Sequence, residues 1–202
     1  MPYRTVAAML IVLMIVAIAA IPVMYHREQA VTFRNFRVVE PGILYRSGQM
    51  CPEGFSKVVR EHGIATVISL RDTTDERGTF ADQFEVDLCH ELGIAHIRVG
   101  PGTTWLPPEQ MAFPFHGQVV EFLRILDDPA TERPVLVHCF AGVHRTGACC
   151  AVYRMNYQNW TGDEAIREMR AMGTARTNFG DDLIRFLATY QSAAGRGSRS
   201  IP

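Results

Sequence analysis

The segment from Pro134 to Tyr157 constrains this chain more than any other. It opens on a short β-branched run, Pro134 to His138 (PVLVH), passes through Cys139, Phe140, Ala141, Gly142, Val143, His144 and Arg145, and runs from Thr146 and Gly147 into an apolar helical stretch, Ala148 to Tyr157. A strand that hands over to a helix through so short a loop leaves the loop and first-turn N–H groups without helical partners. Turned towards one point, they form a nest for an anion. Gly142 permits a backbone turn closed to other residues, and Arg145, six residues after Cys139, can fold back as a planar bidentate donor to two phosphoryl oxygens. Cys139 then stands at the bottom of a positive bowl. An ordinary cysteine is only a few per cent thiolate at neutral pH, but a helix N-terminus and a guanidinium together lower its pKa by roughly two to four units and make it a nucleophile.

Elsewhere short β-branched runs alternate with longer amphipathic stretches, the pattern of an α/β domain with a largely parallel sheet. Ala65 to Leu70 (ATVISL) and Ala95 to Val99 (AHIRV) join Pro134 to His138 as the expected strands. Helical spacing runs through Phe55 to Glu61, Phe80 to Leu92, the set Val119, Phe122, Leu123 and Leu126, and Ala165 to Met172. Gly63, Gly93 and Gly173 follow three of these helices, where a left-handed cap wants glycine. With 48 % hydrophobic and 20 % charged residues over 202 positions, the chain can bury one core and is not mostly disordered. Lysine plus arginine (20) nearly balances aspartate plus glutamate (21), so no basic field exists to hold a nucleic acid. Five cysteines, an odd number, do not fit a fully paired disulfide framework. Cys149 and Cys150 read as small core hydrophobes, and His26, His62, His90, His96 and His116 show no metal-ligand spacing, so no metal and no cofactor is expected. Trp105 and Trp160 read first as packing residues.

The N-terminus is of another kind. Val6 to Tyr25 carries no charge and, at roughly 20 residues, is long enough to cross a bilayer core as a helix. Arg4 and the small residues Ala17, Ala19 and Ala20 would suit a cleaved secretory peptide, but the apolar run continues through Ile21, Val23 and Met24, which points to an uncleaved anchor. A buried core helix would show a polar stripe, and this segment is apolar on every side. His26, Arg27, Arg34 and Arg37, partly offset by Glu28, outnumber Arg4 on the other flank, a count that leans towards a cytoplasmic C-terminal domain. The expected organisation is a single-pass anchor at 6–25, one globular domain at 26–191 and a small, polar, basic tail at 192–202.

With these residues in view, His138-Cys139-x-x-Gly142-x-x-Arg145-Thr146-Gly147 resembles the signature loop of the cysteine-based protein tyrosine and dual-specificity phosphatases. Residues Asn35 to Gln49 (NFRVVEPGILYRSGQ), the strand ending Ser69-Leu70-Arg71-Asp72, and Asn159-Trp160 to Phe186 are similar to the compact atypical dual-specificity branch of bacteria, fungi and plants. The resemblance implies a single phosphatase domain with a central, mostly parallel sheet flanked by helices. It implies that Cys139 attacks phosphorus to form a cysteinyl-phosphate, and that Arg145 with the backbone of Phe140, Ala141, Gly142, Val143 and His144 holds the phosphate. Thr146 would hydrogen-bond the sulfur as it leaves, and His138 would orient the loop.

The chain departs from the family where most members carry a general acid, since Gly100 to Pro108 (GPGTTWLPP) contains no carboxylate. Asp72, Asp75 and Glu109 remain as candidates, or no acid serves at all; loss of a positioned acid costs about 10²- to 10⁴-fold. Some relatives in the atypical branch cleave inositol pyrophosphates, whose leaving phosphate scarcely needs a proton. Phe140, Ala141 and Val143 give the loop no charged side chain for such a polyanion, so phosphotyrosine in proteins is the leading substrate, with phosphoserine, phosphothreonine and small phosphate esters beside it. Other readings are an inositol pyrophosphatase, a membrane-tethered pseudophosphatase that binds phosphoproteins, and a rhodanese-type sulfur carrier.

Overall fold

The structure, a computed structural model, describes residues 3–71, 82–100, 112–173 and 180–190. The chain runs α1 (Tyr3–Glu28), a π-helical turn (Gln29–Phe33), β1 (Arg37–Glu40), β2 (Leu44–Gly48), α2 (Pro52–His62), β3 (Thr66–Ser69), α3 (Gln83–Leu92), β4 (Ala95–Arg98), α4 (His116–Asp127), β5 (Val135–Cys139), α5 (His144–Tyr157), α6 (Gly162–Ala171) and α7 (Gly180–Thr189). Five strands form one sheet in the order β1-β2-β5-β3-β4, parallel except for β1, which pairs antiparallel with β2. This is the mixed α/β architecture expected of the family.

Parallel strands must be covered on both faces, and the side-chain alternation shows how. Leu44, Ile68, Val135 and Val137 point to one side, where they pack with Phe122, Ile125, Tyr153, Met169 and Leu183 from the later helices. Tyr45, Val67 and Leu136 point to the other, against Phe55, Val58, Val59 and Cys89 from α2 and α3. Val135, Leu136 and Val137 are all fully buried, so β5 lies at the centre and its C-terminal end opens at the middle of the sheet edge. In open α/β sheets ligands bind outside the carboxyl ends of the strands, which is that end.

β3, β4 and β5 fall within a residue or so of the expected strands. Gly63 and Gly93 cap α2 and α3 in the left-handed conformation, and Gly173 just beyond α6 also has positive φ. The β1–β2 hairpin was not expected as strands. Its charged residues Arg37, Glu40 and Arg46 blur the alternation, and β2 nonetheless lies buried along its whole length because Arg46 turns inwards to a specific partner described below.

α1 is uncharged from Val6 to Tyr25, and its large apolar side chains are exposed, among them Leu10, Ile15, Ile21 and Tyr25. Within Met9–Phe33 an 18-residue segment has mean hydropathy 2.4, so the helix is long and apolar enough to cross a membrane, as a secretory signal would also be.

Candidate active site

The signature residues sit where β5 meets α5. Cys139 ends β5 opposite Gly48 of β2, and His138 lies between Ser47 of β2 and Ser69 of β3. From there Phe140 to Val143 loop over to α5, which begins at His144. Gly142 has φ of 71°, and a Cβ there would come within 2.6 Å of the Ser47 carbonyl carbon. A Cβ on Gly48 would in turn come within 2.8 Å of Ala141 and Phe140 backbone atoms. Both positions therefore demand glycine, the first for conformation and space, the second for space alone.

The loop's carbonyls are tied to the outside. The Gln49 N–H donates to Phe140 O at 3.0 Å, Asn35 Nδ2 to Ala141 O at 2.9 Å, and Arg46 Nη2 to Gly142 O at 2.8 Å. In a trans peptide the C=O and the next N–H point opposite ways, so these three bonds turn the amides of Ala141, Gly142 and Val143 inwards. The Gly142 N–H donates to Cys139 Sγ at 3.3 Å.

Cys139 is only 5 % exposed, and burial pushes its thiol up; the Thr146 hydroxyl and amide, the Gly142 amide and the charge of His138 together outweigh burial and hold it below the ordinary cysteine value. Arg145 donates from Nη1 to Leu70 O at 2.8 Å at the end of β3. The same carbonyl accepts from Gln118 Nε2 at 3.4 Å, and buried Gln118 also donates to Val99 O, so one α4 side chain ties the ends of β3 and β4 beside the arginine.

Behind His138 lies a buried polar cluster. His138 Nε2 is 2.9 Å from Glu85 Oε2, and both side chains are 1 % exposed. Burial pushes His138 down, but the Glu85 carboxylate overrides it, so the imidazole next to Cys139 holds its proton more tightly than an ordinary histidine. His96 Nε2 stands 4.0 Å from the same oxygen, and burial pushes it towards the neutral form. Asp82 accepts from Ser69 Oγ at 2.6 Å and pairs with Arg98 at 2.8 and 2.9 Å. One ligand atom each from Asp82, Glu85, His96 and His138 falls within 4.8 Å of the others, a donor set that could hold a divalent cation. Its charges already balance, however: Arg98 closes on Asp82 and His138 on Glu85. A cation would have to displace a guanidinium and a proton, so the set fits a charge network better than an ion cage. Sequence spacing gave no sign of this cluster, because its members come from α3 and its start, β4 and β5.

The rim differs from the apolar one expected from Phe140, Ala141 and Val143. Phe140 is 54 % exposed, with Arg34 Cζ 3.8 Å above its ring and Arg71 Cζ 5.1 Å away. Two guanidiniums from other parts of the chain thus supply the charge that the loop lacks. Arg34 and Asn35 both have positive φ, at 32° and 61°, and this turn lets Arg34 O accept the Gly48 N–H at 2.6 Å while Asn35 reaches the loop.

Asp72, Asp75, Trp105 and Glu109 lie outside the described residues. Cys149 and Cys150 are fully buried, with thiols raised by burial, and burial pushes Cys89 up to about 12. Cys51 caps α2, and Trp160 packs on Arg154 at 4.3 Å.

This geometry agrees with what comparison finds. The family model described as DSP-PTPase phosphatase fused to NAD+ kinase matches residues 29–182. The chain belongs to this phosphatase family. The dual specificity protein phosphatase TpbA of Pseudomonas aeruginosa is 36 % identical over 87 residues, covering 39 % of this chain and 38 % of TpbA. Inositol diphosphatase DSP3 of Arabidopsis thaliana is 32 % identical over 136 residues, covering 66 % of this chain and 60 % of DSP3. The match thus spans less than two thirds of either relative. The core catalytic domain of the S. cerevisiae PP-IP phosphatase SIW14, solved with citrate, has a TM-score of 0.58 at 23 % identity over 80 % of this chain and 88 % of that one. The P. aeruginosa TpbA structure gives 0.55 at 22 % identity over 78 % and 85 %. At these identities the likeness of a phosphatase-family member to solved structures speaks for the fold alone.

Proposed function

We propose that this chain hydrolyses phosphate esters through a phosphocysteine on Cys139. The observation that carries the reading is a buried thiol held below its ordinary pKa at the focus of inward-turned amides. The Cys139 thiolate attacks phosphorus and the bond to the leaving oxygen breaks. The amides from Phe140 to Arg145 and the Arg145 guanidinium hold the three equatorial oxygens. Water then attacks the phosphocysteine, releasing inorganic phosphate, while the Thr146 hydroxyl stabilises the departing sulfur. Asp72, Asp75 and Glu109 are the candidates for protonating the leaving group. A Cys139→Ser chain should bind vanadate and release no phosphate. Unchanged turnover in that variant sinks the mechanism, and binding without turnover in the unaltered chain would favour the pseudophosphatase instead.

Phosphotyrosine-like aryl phosphates fit the exposed Phe140 ring. A second reading, a multiply charged substrate such as an inositol diphosphate, is supported by Arg34 and Arg71 over that ring and by a leaving phosphate that needs little protonation. Rates on an aryl phosphate, a phosphotyrosine peptide, a phosphoserine peptide and an inositol diphosphate separate the two. If Arg34→Gln weakens KM for the polyphosphate alone, the second reading gains; equal loss on every substrate removes it. We further take α1 to be a membrane anchor, on its length, hydropathy and exposed apolar side chains.

A further inference from the structure

The stretch that joins α1 to the domain is also part of the active-site wall. The π-helical turn Gln29–Phe33 is docked: Phe33 packs against the Tyr45, Phe55 and Val58 cluster, and the Thr32 carbonyl lies against Gly54, where any Cβ would strike it. Directly after it, Arg34 O accepts the Gly48 N–H, Asn35 Nδ2 donates to Ala141 O, and the Arg34 guanidinium covers Phe140. No loose linker separates the apolar helix from the signature loop.

The distances follow from helix geometry. From Tyr25, the end of the uncharged run, to Arg34 even a straight helix advances only about 13 Å at ~1.5 Å per residue. The headgroup layer outside the hydrocarbon core is roughly 5–8 Å thick on each side. With α1 in a bilayer, the mouth of the pocket lies at or just beyond the headgroups. Its surroundings suit that place: Arg27 and Arg37 are exposed on either side of Arg34, and the rim presents an exposed aromatic ring among guanidiniums.

We propose that the pocket works at the bilayer surface on phosphate monoesters carried by lipid headgroups. This rests on the phosphatase and anchor readings above. Cys139 Sγ bonds to phosphorus as the P–O ester bond breaks, and the ester oxygen leaves with the bonding pair and takes a proton from a carboxyl group or from water to become the lipid hydroxyl. Water then attacks the phosphocysteine to free inorganic phosphate and restore the thiolate. A phosphoprotein would have to bring its phosphorylated side chain down to the headgroup layer, whereas a lipid phosphate is already there.

The test reconstitutes the full chain in phosphatidylcholine vesicles that carry either phosphatidic acid or a phosphatidylinositol monophosphate, and measures phosphate release. A second chain carries an 18-residue Ala/Glu/Lys helix inserted after Arg27, which lifts the domain by about 27 Å without changing its rotational register. Both chains are also assayed on a soluble aryl phosphate and on a phosphotyrosine peptide tethered to the same vesicles. The expected result is release from at least one lipid, reduced tenfold or more by the spacer, with aryl phosphate rates within twofold of each other. Equal lipid rates with and without the spacer overturn the proposal. So does activity on aryl phosphate or tethered peptide with none on either lipid. Failure of the unmodified chain to float with vesicles rejects the anchor and the proposal with it, and inactivity of both chains on aryl phosphate rejects the phosphatase reading beneath it.

Discussion

Cys139 and Cys149 share one strand–loop–helix segment and are both buried, yet their thiols move in opposite directions, down for Cys139 and far up for Cys149. Burial raises both. The difference lies in the backbone around them. Cys149 sits within α5, where the ladder of intrahelical bonds consumes the neighbouring N–H groups. Cys139 ends a strand, facing amides that no ladder has claimed, with the Thr146 hydroxyl and charged His138 beside it. Reactivity here belongs to oriented donors, and concealment from water only sharpens their effect.

The largest way to break this contrast is substitution of Cys139, the proposed nucleophile. Cys139→Ser should lower kcat/KM by about 10⁴-fold or more, with an unchanged thermal melt. A comparable loss from Cys149→Ser without unfolding would mean that the wrong cysteine has been assigned. Next in size, Arg145→Lys keeps the charge and loses the fork; kcat/KM should fall by roughly 10²- to 10³-fold, the scale for one lost transition-state donor.

Glu85→Gln sharpens the comparison from behind the site. Glu85 raises the His138 pKa, and charged His138 lowers that of Cys139. Without the carboxylate, His138 loses its proton sooner and Cys139 is harder to ionise, so the acid limb of the kcat/KM profile should move to higher pH. On that limb each unit of movement costs about tenfold in rate, and well above the limb the two enzymes should converge. The pH dependence of Cys139 alkylation by iodoacetamide reads the same shift directly. Around His138 stand Glu85, Asp82, His96, Arg98 and Cys139, so His96→Gln serves as the control for a general disturbance of the cluster. The Glu85–His138 pair contributes fully to stability below the ordinary histidine pKa of about 6.5 and is lost as pH rises through the raised folded value, a dependence that Glu85→Gln should remove. The smallest effect is expected from Cys149→Ala: rate within about twofold, stability lower by about 1 kcal/mol in a urea titration.

How far the sequence reached depends on how local each feature is. The strand, loop and helix from Pro134 to Tyr157 are contiguous, and so are the glycine and arginine offsets that announce the bowl. The buttress is not contiguous. Arg46, Asn35 and Gln49 tie the loop's carbonyls, Gly48 makes room for it, and Gln118 braces Leu70 and Val99; each comes from a different part of the chain, where it reads as an ordinary polar or small residue. Glu85 looks like a solvent-facing charge on α3 until His138 meets it. Arg34 and Arg71 correct the expectation of an uncharged rim for the same reason, since a loop's own side chains do not reveal what the fold brings beside them.

The approach of Gly48 to Gly142 also sets what can be re-engineered. Neither position accepts a side chain, so the floor of the bowl offers no handle for directed evolution, and a library that randomises it will return mostly misfolded clones. Phe140, which faces solvent, and the Arg34 and Arg71 guanidiniums over it can vary without touching that floor. A search for new substrate preference can therefore be confined to the rim, leaving the phosphoryl-transfer chemistry beneath it untouched.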